Sequence, residues 1–320
     1  MTIIFFGTSE FALDSLTAIN DSYHKILSVV TQPDSRRDRG HKVHFTPVKE
    51  KALELGLPIF QTDNINSQES IEYLKNLNAD IFVVVSYGAL LSKDVLSISK
   101  YKPINVHPSL LPKYRGAAPI QRTLMNGDCT TGVTIMEMVE KLDAGDIIKQ
   151  SNIKIQDCWN YGDLNKELSV EGGKLLIEVL QLIEEGRASR ILQDDNLHTY
   201  AKKIRNSEKY LNLNQSAEDI VNTIRGLTPK VTPLVLLNNQ LLGIVEAETA
   251  SFNILESFKD SIVGEVLAID NKTGILVKCR NGAIWIKKLK PEGKKTMNYK
   301  DFINGKKIHV GDILKNKEEN

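Results

Sequence analysis

The run DIFVVV, residues 80–85, narrows the possible folds more than any other feature of the chain. From Ile81 to Val85 it is apolar, mostly β-branched, and shows no polar alternation. A strand with one wet face alternates; a strand buried on both faces does not, and such strands belong to parallel sheets covered by helices. The neighbouring sequence repeats the theme. Ile3–Phe6, Ile26–Thr31 and Ile104–His107 read as strands, and Phe11–Ile19, Pro47–Leu55 and Ile71–Leu77 carry helical spacing between them. This alternation predicts right-handed βαβ units and an α/β domain with a Rossmann-like, mostly parallel sheet. A helix is expected at Ala118–Met125. The strand at Val133–Met138 is expected to pair with the one after Gly145 as a hairpin added to the sheet, and Tyr161–Ile183 reads as one or two long closing helices.

After this the periodicity dissolves. Residues 188–207 are polar and read as a linker between domains spanning 1–187 and 208–320, two domains being what 320 residues suggest. The second domain begins with a helix at Ala217–Arg225. Short β-rich runs follow at Leu234–Leu237, Leu241–Ala247, Gly264–Ile269, Ile275–Lys278 and Ile284–Leu289. Asn281–Gly282 between two such runs is a strong hairpin signal. So many short strands with turns predict a small β-barrel of the OB-like kind.

Charge is unevenly spread. Residues 272–317 hold thirteen Lys and Arg against three acids, a local balance of +10, which leaves −9 elsewhere to reach the whole-chain +1. Such asymmetry fits either a polyanionic partner or a solvated lysine-rich surface. No apolar run approaches the ~20 residues of a membrane helix. The start, MTIIFFGTSEF, has no basic leader and reads as a first strand. Cys129, Cys158 and Cys279 lie far apart with no C-x-x-C, which argues against a disulfide frame and fits a reducing cytoplasm.

Several chemistries are missing from the sequence. Gly7 ends the first strand without a G-x-G-x-x-G, so the sheet does not read as a dinucleotide binder, and no Walker or G-x-S-x-G motif is present. His41 and His44 have no further ligand near them in sequence, so no metal is expected. What remains is INVHPSLLPKYRG, residues 104–116. Asn105 and His107 are two apart on a strand and share a face, at the carboxyl end where open α/β sheets carry their sites. Pro108 and Pro112 forbid a helix interior next to them. Asp143, in VEKLDAGD, comes after the following strand. An amide, an imidazole and a carboxylate with no nucleophile suit direct attack of an amine on a carbonyl. The first two would donate to the oxyanion, and the carboxylate would hold the imidazole charged and help remove the amine's proton. The plain alternative is that Asn105 caps a strand end, His107 packs and Asp143 starts a turn.

The motifs FFGTSEFAL, VTQPDSRRDRG, VVVSYGALL, INVHPSLLPKYRGAAPIQRTLMNGD and TGVTIMEMVEKLDAGDII resemble those of the methionyl-tRNA formyltransferases, within the folate-dependent formyltransferases. The resemblance runs along nearly the whole chain. It implies a formyltransferase-fold catalytic domain at 1–187 that takes 10-formyltetrahydrofolate as co-substrate, and a tRNA-binding barrel at 208–320. It implies transfer of the formyl group to the amine of methionine on initiator tRNA. Asn105, His107 and Asp143 fall on the family's catalytic asparagine, histidine and aspartate. Ser109, Leu110, Leu111 and Pro112 fall on its folate segment, with Gly88, Leu91 and Val139 expected to line an apolar slot for the pterin. Arg36, Arg37, Arg39 and Lys42, read as a basic loop, and Lys287, Lys288, Lys290, Lys294 and Lys295 of the barrel are expected to contact tRNA. RGAAPIQ resembles the tRNA enzymes more than those acting on glycinamide ribonucleotide. TPKVTPL at 228–234 lacks the Trp-containing stretch associated with this point of the family. The rivals are a formyltransferase acting on a sugar-nucleotide amine and an RNA-binding protein with a vestigial enzyme domain. The chain is expected to act as a cytoplasmic monomer without a membrane partner.

Overall fold

A computed structural model of the chain describes residues 1–37, 42–251, 258, 260–305 and 308–316. The first nine strands are β1 (Thr2–Gly7), β2 (Lys25–Thr31), β3 (Ser35–Arg37), β4 (Lys42–His44), β5 (Ile59–Gln61), β6 (Ile81–Val85), β7 (Ile104–His107), β8 (Thr130–Glu137) and β9 (Ile147–Lys154). Seven of them form one sheet in the order β5-β2-β1-β6-β7-β8-β9. Pairing is parallel from β5 through β7, while β8 and β9 add an antiparallel hairpin at one edge. The DIFVVV strand lies in the middle, and every residue of β6 is buried.

Helices α1 (Leu13–Asn20), α2 (Pro47–Glu54), α3 (Gln68–Asn76), α4 (Lys93–Leu96), α5 (Pro119–Met125) and α6 (Tyr161–Glu184) lie between and after the strands in the chain. Their starts are written locally. Thr46 caps α2, its hydroxyl accepting from Lys49 N at 3.1 Å with Pro47 in the first turn, and Ser67 caps α3 in the same way. Tyr161–Glu184 is one continuous helix. Its glycines sit where it touches its neighbours: a β-carbon on Gly172 would stand 3.0 Å from Val106 Cγ1, and one on Gly173 would stand 2.9 Å from the Asp14 carbonyl of α1. The other face of the sheet packs Ile4, Phe6, Phe82 and Val84 against Ile71 and Leu74 of α3 and against Tyr87, Leu91 and Val95.

The chain divides into two compact units. One comprises Met1–Pro119, Thr130–Lys154 and Asn165–Ala201; the other comprises Ile120–Cys129, Ile155–Leu164 and Lys202–Asn320. The polar stretch 188–207 therefore belongs to the first unit as far as Ala201 and to the second from Lys202.

In the second unit, α7 (Ala217–Leu227) precedes β10 (Leu234–Leu237), β11 (Gln240–Thr249), β12 (Val266–Asp270), β13 (Gly274–Lys278), β14 (Ala283–Pro291), β15 (Met297–Asn298), α8 (Tyr299–Asn304) and β16 (Leu314–Lys315). The sheet runs β12-β13-β14-β11-β10-β16, with β15 beside β14. Its ends meet: Leu314 N donates to Gly264 O and Val266 N to Asp312 O, both at 2.8 Å. Closure into a barrel removes the long unpaired edges of an open antiparallel sheet. Ile220 and Ile224 of α7 join Val235, Ile244, Ile275, Ile284 and Ile286 in the core.

The structure adds elements with little hydrophobic pattern of their own. The most consequential is the pairing of β3 with β4, in register Ser35↔His44 to Arg37↔Lys42. Arg36, Arg37 and Lys42 of the basic segment expected as a loop thus lie on two antiparallel strands. Each strand is three residues long, too short for a period-two signal, and the two are held by backbone bonds.

Candidate active site

Strand β7 presents Asn105 and His107 on one face. Asn105 lies opposite Met136 and His107 opposite Thr134 on β8. The chain then turns. Ser109 N donates to the His107 carbonyl at 2.9 Å, and the Ser109 hydroxyl donates to Lys113 O at 2.7 Å. The Thr134 hydroxyl braces this turn from below. It donates to Ser109 O at 2.6 Å and accepts from Leu111 N at 3.1 Å and from Gln150 Nε2 at 2.8 Å. Gln150 also donates to Leu111 O at 2.9 Å. Ser109 and Leu111 are buried, with Leu111 packed on Met136 and Ile147. The Ser109 hydroxyl is spent inside the turn, so what the 109–112 segment offers outward is backbone, together with the half-buried Leu110 and Pro112.

Asp143 reaches this face by an indirect route. Because β8 runs antiparallel to β7, its carboxyl end lies at the start of β7: Ile104 faces Glu137, and Met138 N donates to Pro103 O at 2.8 Å. The connection 138–146 returns across the face of the sheet. Asp143 has φ +50°, a left-handed conformation that is strained for a residue with a side chain. Gly145 passes so close to the Glu137 carbonyl that a β-carbon would stand 1.8 Å from that oxygen, so only glycine fits. At the end of this path Asp143 Oδ2 accepts from Gly116 N at 2.7 Å and stands 3.7 Å from His107 Nδ1.

The tautomer of His107 follows from its partner. Nε2 lies 2.9 Å from the Tyr114 carbonyl, which can only accept, so Nε2 carries a proton and Nδ1 is the ring nitrogen aimed towards the carboxylate. The Asn105 amide makes no hydrogen bond to a described residue. The trio expected from the sequence is therefore gathered on one side of β7, with an unengaged amide and a ring nitrogen near a carboxylate.

The residues expected around the co-substrate differ in exposure. Leu91 is buried in the cluster under α3, whereas Gly88 is exposed with φ +88° and open space beside it. Val139 is exposed, as are Leu90 and Leu142 in the connections that follow β6 and β8. Tyr87 is buried with no partner for its hydroxyl among the described residues, and burial pushes its pKa to about 12. Its carbonyl accepts from the Thr8 hydroxyl at 2.7 Å, tying the turn after β6 to the one after β1.

The remaining candidates separate into two groups. Arg36 and Arg37 lie on β3 and Lys42 on β4; Arg39 lies outside the described residues. The segment before β3 is clamped. Lys49 Nζ donates to Asp34 Oδ2 at 2.5 Å and Gln61 Nε2 to Asp34 Oδ1 at 2.9 Å, and these contacts hold the Asp34 carboxyl below its usual range. In the barrel, Lys287 pairs with Glu248 at 2.9 Å and Lys288 with Glu246 at 2.5 Å, across β14 and β11. Lys290, Lys294 and Lys295 are exposed and make no ion pair with a described residue.

Sequence reasoning missed four residues that shape the site: Thr134, Gln150, Arg115 and Gln193. Arg115 is fully buried and Gln193 nearly so. Nothing in the sequence links them, because they lie 78 positions apart. Among the described residues no three His, Cys, Asp or Glu side chains gather as a metal site.

A family model described as formyl transferase matches residues 1–180, and one described as formyl transferase, C-terminal domain matches residues 203–307. The chain belongs to the formyl transferase family. The first match spans the seven-stranded sheet of this formyltransferase and the second most of its barrel. A protein named methionyl-tRNA formyltransferase from Sulfurihydrogenibium is 41% identical over 98% of this chain and 99% of its own. One of the same name from Caldicellulosiruptor saccharolyticus is 44% identical over 98% of this chain and 100% of its own. Among solved structures, the sugar 3N-formyl transferase WlaRD, crystallised with dTDP and 5-N-formyl-THF, shares the fold. Its TM-score is 0.63 at 22% identity, covering 92% of this chain and 99% of that one.

Proposed function

We infer that this formyltransferase moves the formyl group of 10-formyltetrahydrofolate to the amine of methionine carried by initiator tRNA, for translation initiation. Full-length relatives of that name support the acceptor. The observation that carries the chemistry is the meeting of Asn105, His107 and Asp143 around one side of β7, with His107 Nδ1 3.7 Å from the Asp143 carboxylate. The amine attacks the formyl carbon, and its oxygen becomes an oxyanion. The Asn105 amide and a proton on His107 Nδ1 donate to that oxygen, where charge develops. Asp143 receives the proton lost by the attacking nitrogen, directly or through water. Collapse breaks the bond from the formyl carbon to N10 of the folate, which leaves with the proton that Asp143 had received, so the carboxylate is restored.

The residues around the site fit such a co-substrate. The backbone of Ser109, Leu110, Leu111 and Pro112 forms a wall, and Gly88, Leu91 and Val139 belong to the slot for the pterin. The basic segment with Arg36, Arg37, Arg39 and Lys42 meets the acceptor end of the tRNA. The barrel, at 208–320, holds the tRNA body through phosphate contacts by Lys287, Lys288, Lys290, Lys294 and Lys295. The enzyme works as a monomer in the cytoplasm. No helix among the described residues is long and apolar enough to cross a membrane.

One assay tests the acceptor: transfer of labelled formyl from 10-formyltetrahydrofolate to methionyl initiator tRNA or to an amino-sugar nucleotide. Label on the tRNA is expected. Label on the sugar nucleotide alone would establish the rival enzyme, and hydrolysis or inactivity with both would sink the transferase reading.

A further inference from the structure

Asp143 reaches His107 at the end of a nine-residue return, residues 138–146, in a backbone conformation that side-chain-bearing residues avoid. Something must hold it there. Its carboxylate is held by Gly116 N at 2.7 Å, and its main chain by Gln193, whose Nε2 donates to Asp143 O at 3.0 Å and to Gly145 O at 2.7 Å. The Gln193 amide is fully used. Its oxygen accepts twice from Arg115, from Nε at 3.0 Å and from Nη2 at 2.8 Å. Arginine can only donate, so the orientation of the amide is dictated, and both of its hydrogens face the two carbonyls. Arg115 is anchored in turn. Nη1 donates to Asp195 Oδ1 at 2.9 Å, and its backbone pairs with Thr199 and Ala201. Asp195, also gripped by Lys141, has its carboxyl lowered to about 2 by Lys141 and Arg115.

We propose that Gln193, oriented by Arg115, is a positioning residue for catalysis: it reads the carbonyls of Asp143 and Gly145 and so sets the carboxylate against His107. Arg115 immediately precedes Gly116, whose amide takes the Asp143 carboxylate. One short stretch of chain therefore grips Asp143 from both ends, directly by a main-chain N–H and indirectly through Gln193. Neither Arg115 nor Gln193 touches a reacting atom. This role rests on the catalytic part assigned to Asp143 above.

The deciding variant is Gln193→Glu. Glutamate keeps the size and the pairing with Arg115, but it sets a carboxylate oxygen against two carbonyls that had each received a hydrogen bond. Formyl transfer to methionyl-tRNA is measured at steady state for wild type, Gln193→Glu, Asp143→Asn and the double variant, alongside thermal unfolding. Gln193→Glu is expected to lower kcat on the order of 10²-fold, as a displaced catalytic group does, with KM for 10-formyltetrahydrofolate unchanged. In the Asp143→Asn background the same substitution should change kcat within about twofold, because the group it positions is already gone. Should Gln193→Glu lose its cooperative melt, Gln193→Leu, which puts no charge against the carbonyls, carries the same comparison. Unchanged kcat in Gln193→Glu beside a slow Asp143→Asn would overturn the positioning role alone, as would losses that simply multiply in the double variant. A wild-type kcat in Asp143→Asn would remove the catalytic part of Asp143, and the positioning role with it.

Discussion

His107 Nδ1 stands 3.7 Å from Asp143 Oδ2, just beyond hydrogen-bond reach. The gap leaves both atoms able to engage a third group between or beside them. The ring is held through its other nitrogen by the Tyr114 carbonyl, and the carboxylate is held by Gly116 N.

His107→Ala and Asp143→Asn are therefore expected to lower turnover far more than they weaken folate binding. Each acts on charge that develops only as the amine attacks, and loss of one oxyanion donor costs about 10²–10³ in rate. Because the two residues act on one event, the double variant should lose less than the product of the singles. Single-turnover rates with titrated folate check this; strict multiplicativity would dissolve the pair.

Thr134 controls the wall at 109–112. Thr134→Val keeps the shape but removes one donor, to Ser109 O, and two acceptor sites, for Leu111 N and Gln150, in a buried place. A stability loss of about 1–3 kcal/mol is expected from the unpaired buried groups. The loosened backbone should raise KM for the folate while kcat falls less. Urea unfolding and folate titration test the two halves separately; a loss confined to kcat would contradict the wall.

The basic residues of the barrel are not equivalent. Lys287 and Lys288 are paired with Glu248 and Glu246, whereas Lys290, Lys294 and Lys295 have no such partner among the described residues. Neutralising Lys290, Lys294 and Lys295 should flatten the salt dependence of tRNA binding more than neutralising Lys287 and Lys288, since free charges release more counterions. Slopes equal to wild type in both variants would take this face out of the tRNA interface. Arg39→Ala should impair formylation of charged tRNA with folate binding intact, measured by kcat/KM against tRNA.

Glu137 supports the base of the Asp143 connection, and its side chain is 2% exposed. Burial alone would raise its pKa. Hydrogen bonds from Lys102 at 2.7 Å and from Arg190 outweigh that and bring it below the usual value of 4.5. A lowered carboxyl contributes stability that is present above its unfolded pKa, near 4.5, and lost as pH falls through the lower folded value. Glu137→Gln should cost about 1–2 kcal/mol at pH 7, because charged hydrogen bonds become neutral ones. It should also flatten the acid limb of the stability curve. Urea midpoints from pH 7 down to the acid transition test both; an unchanged acid limb would assign that limb to other carboxyls.

By itself the sequence determined everything that rests on periodicity and local chemistry. The unbroken apolar run of β6, the β7 end with Asn105 and His107 two residues apart and the paired runs of the barrel are each encoded within a few residues, so their pattern reads directly. Tertiary structure alone decided what depends on distant partners. The β3–β4 pair is held by backbone bonds between two three-residue strands, too short to show an apolar alternation. Asp143 arrives beside His107 because an antiparallel strand sends the chain to the wrong end of β7 and the connection turns back. Gln193, in a stretch whose polarity reads as linker, is buried because Arg115, 78 residues earlier, offers it two donors and the Asp143 turn offers it two acceptors. A buried polar group is satisfied by whatever the fold brings to it, and no local pattern records that match.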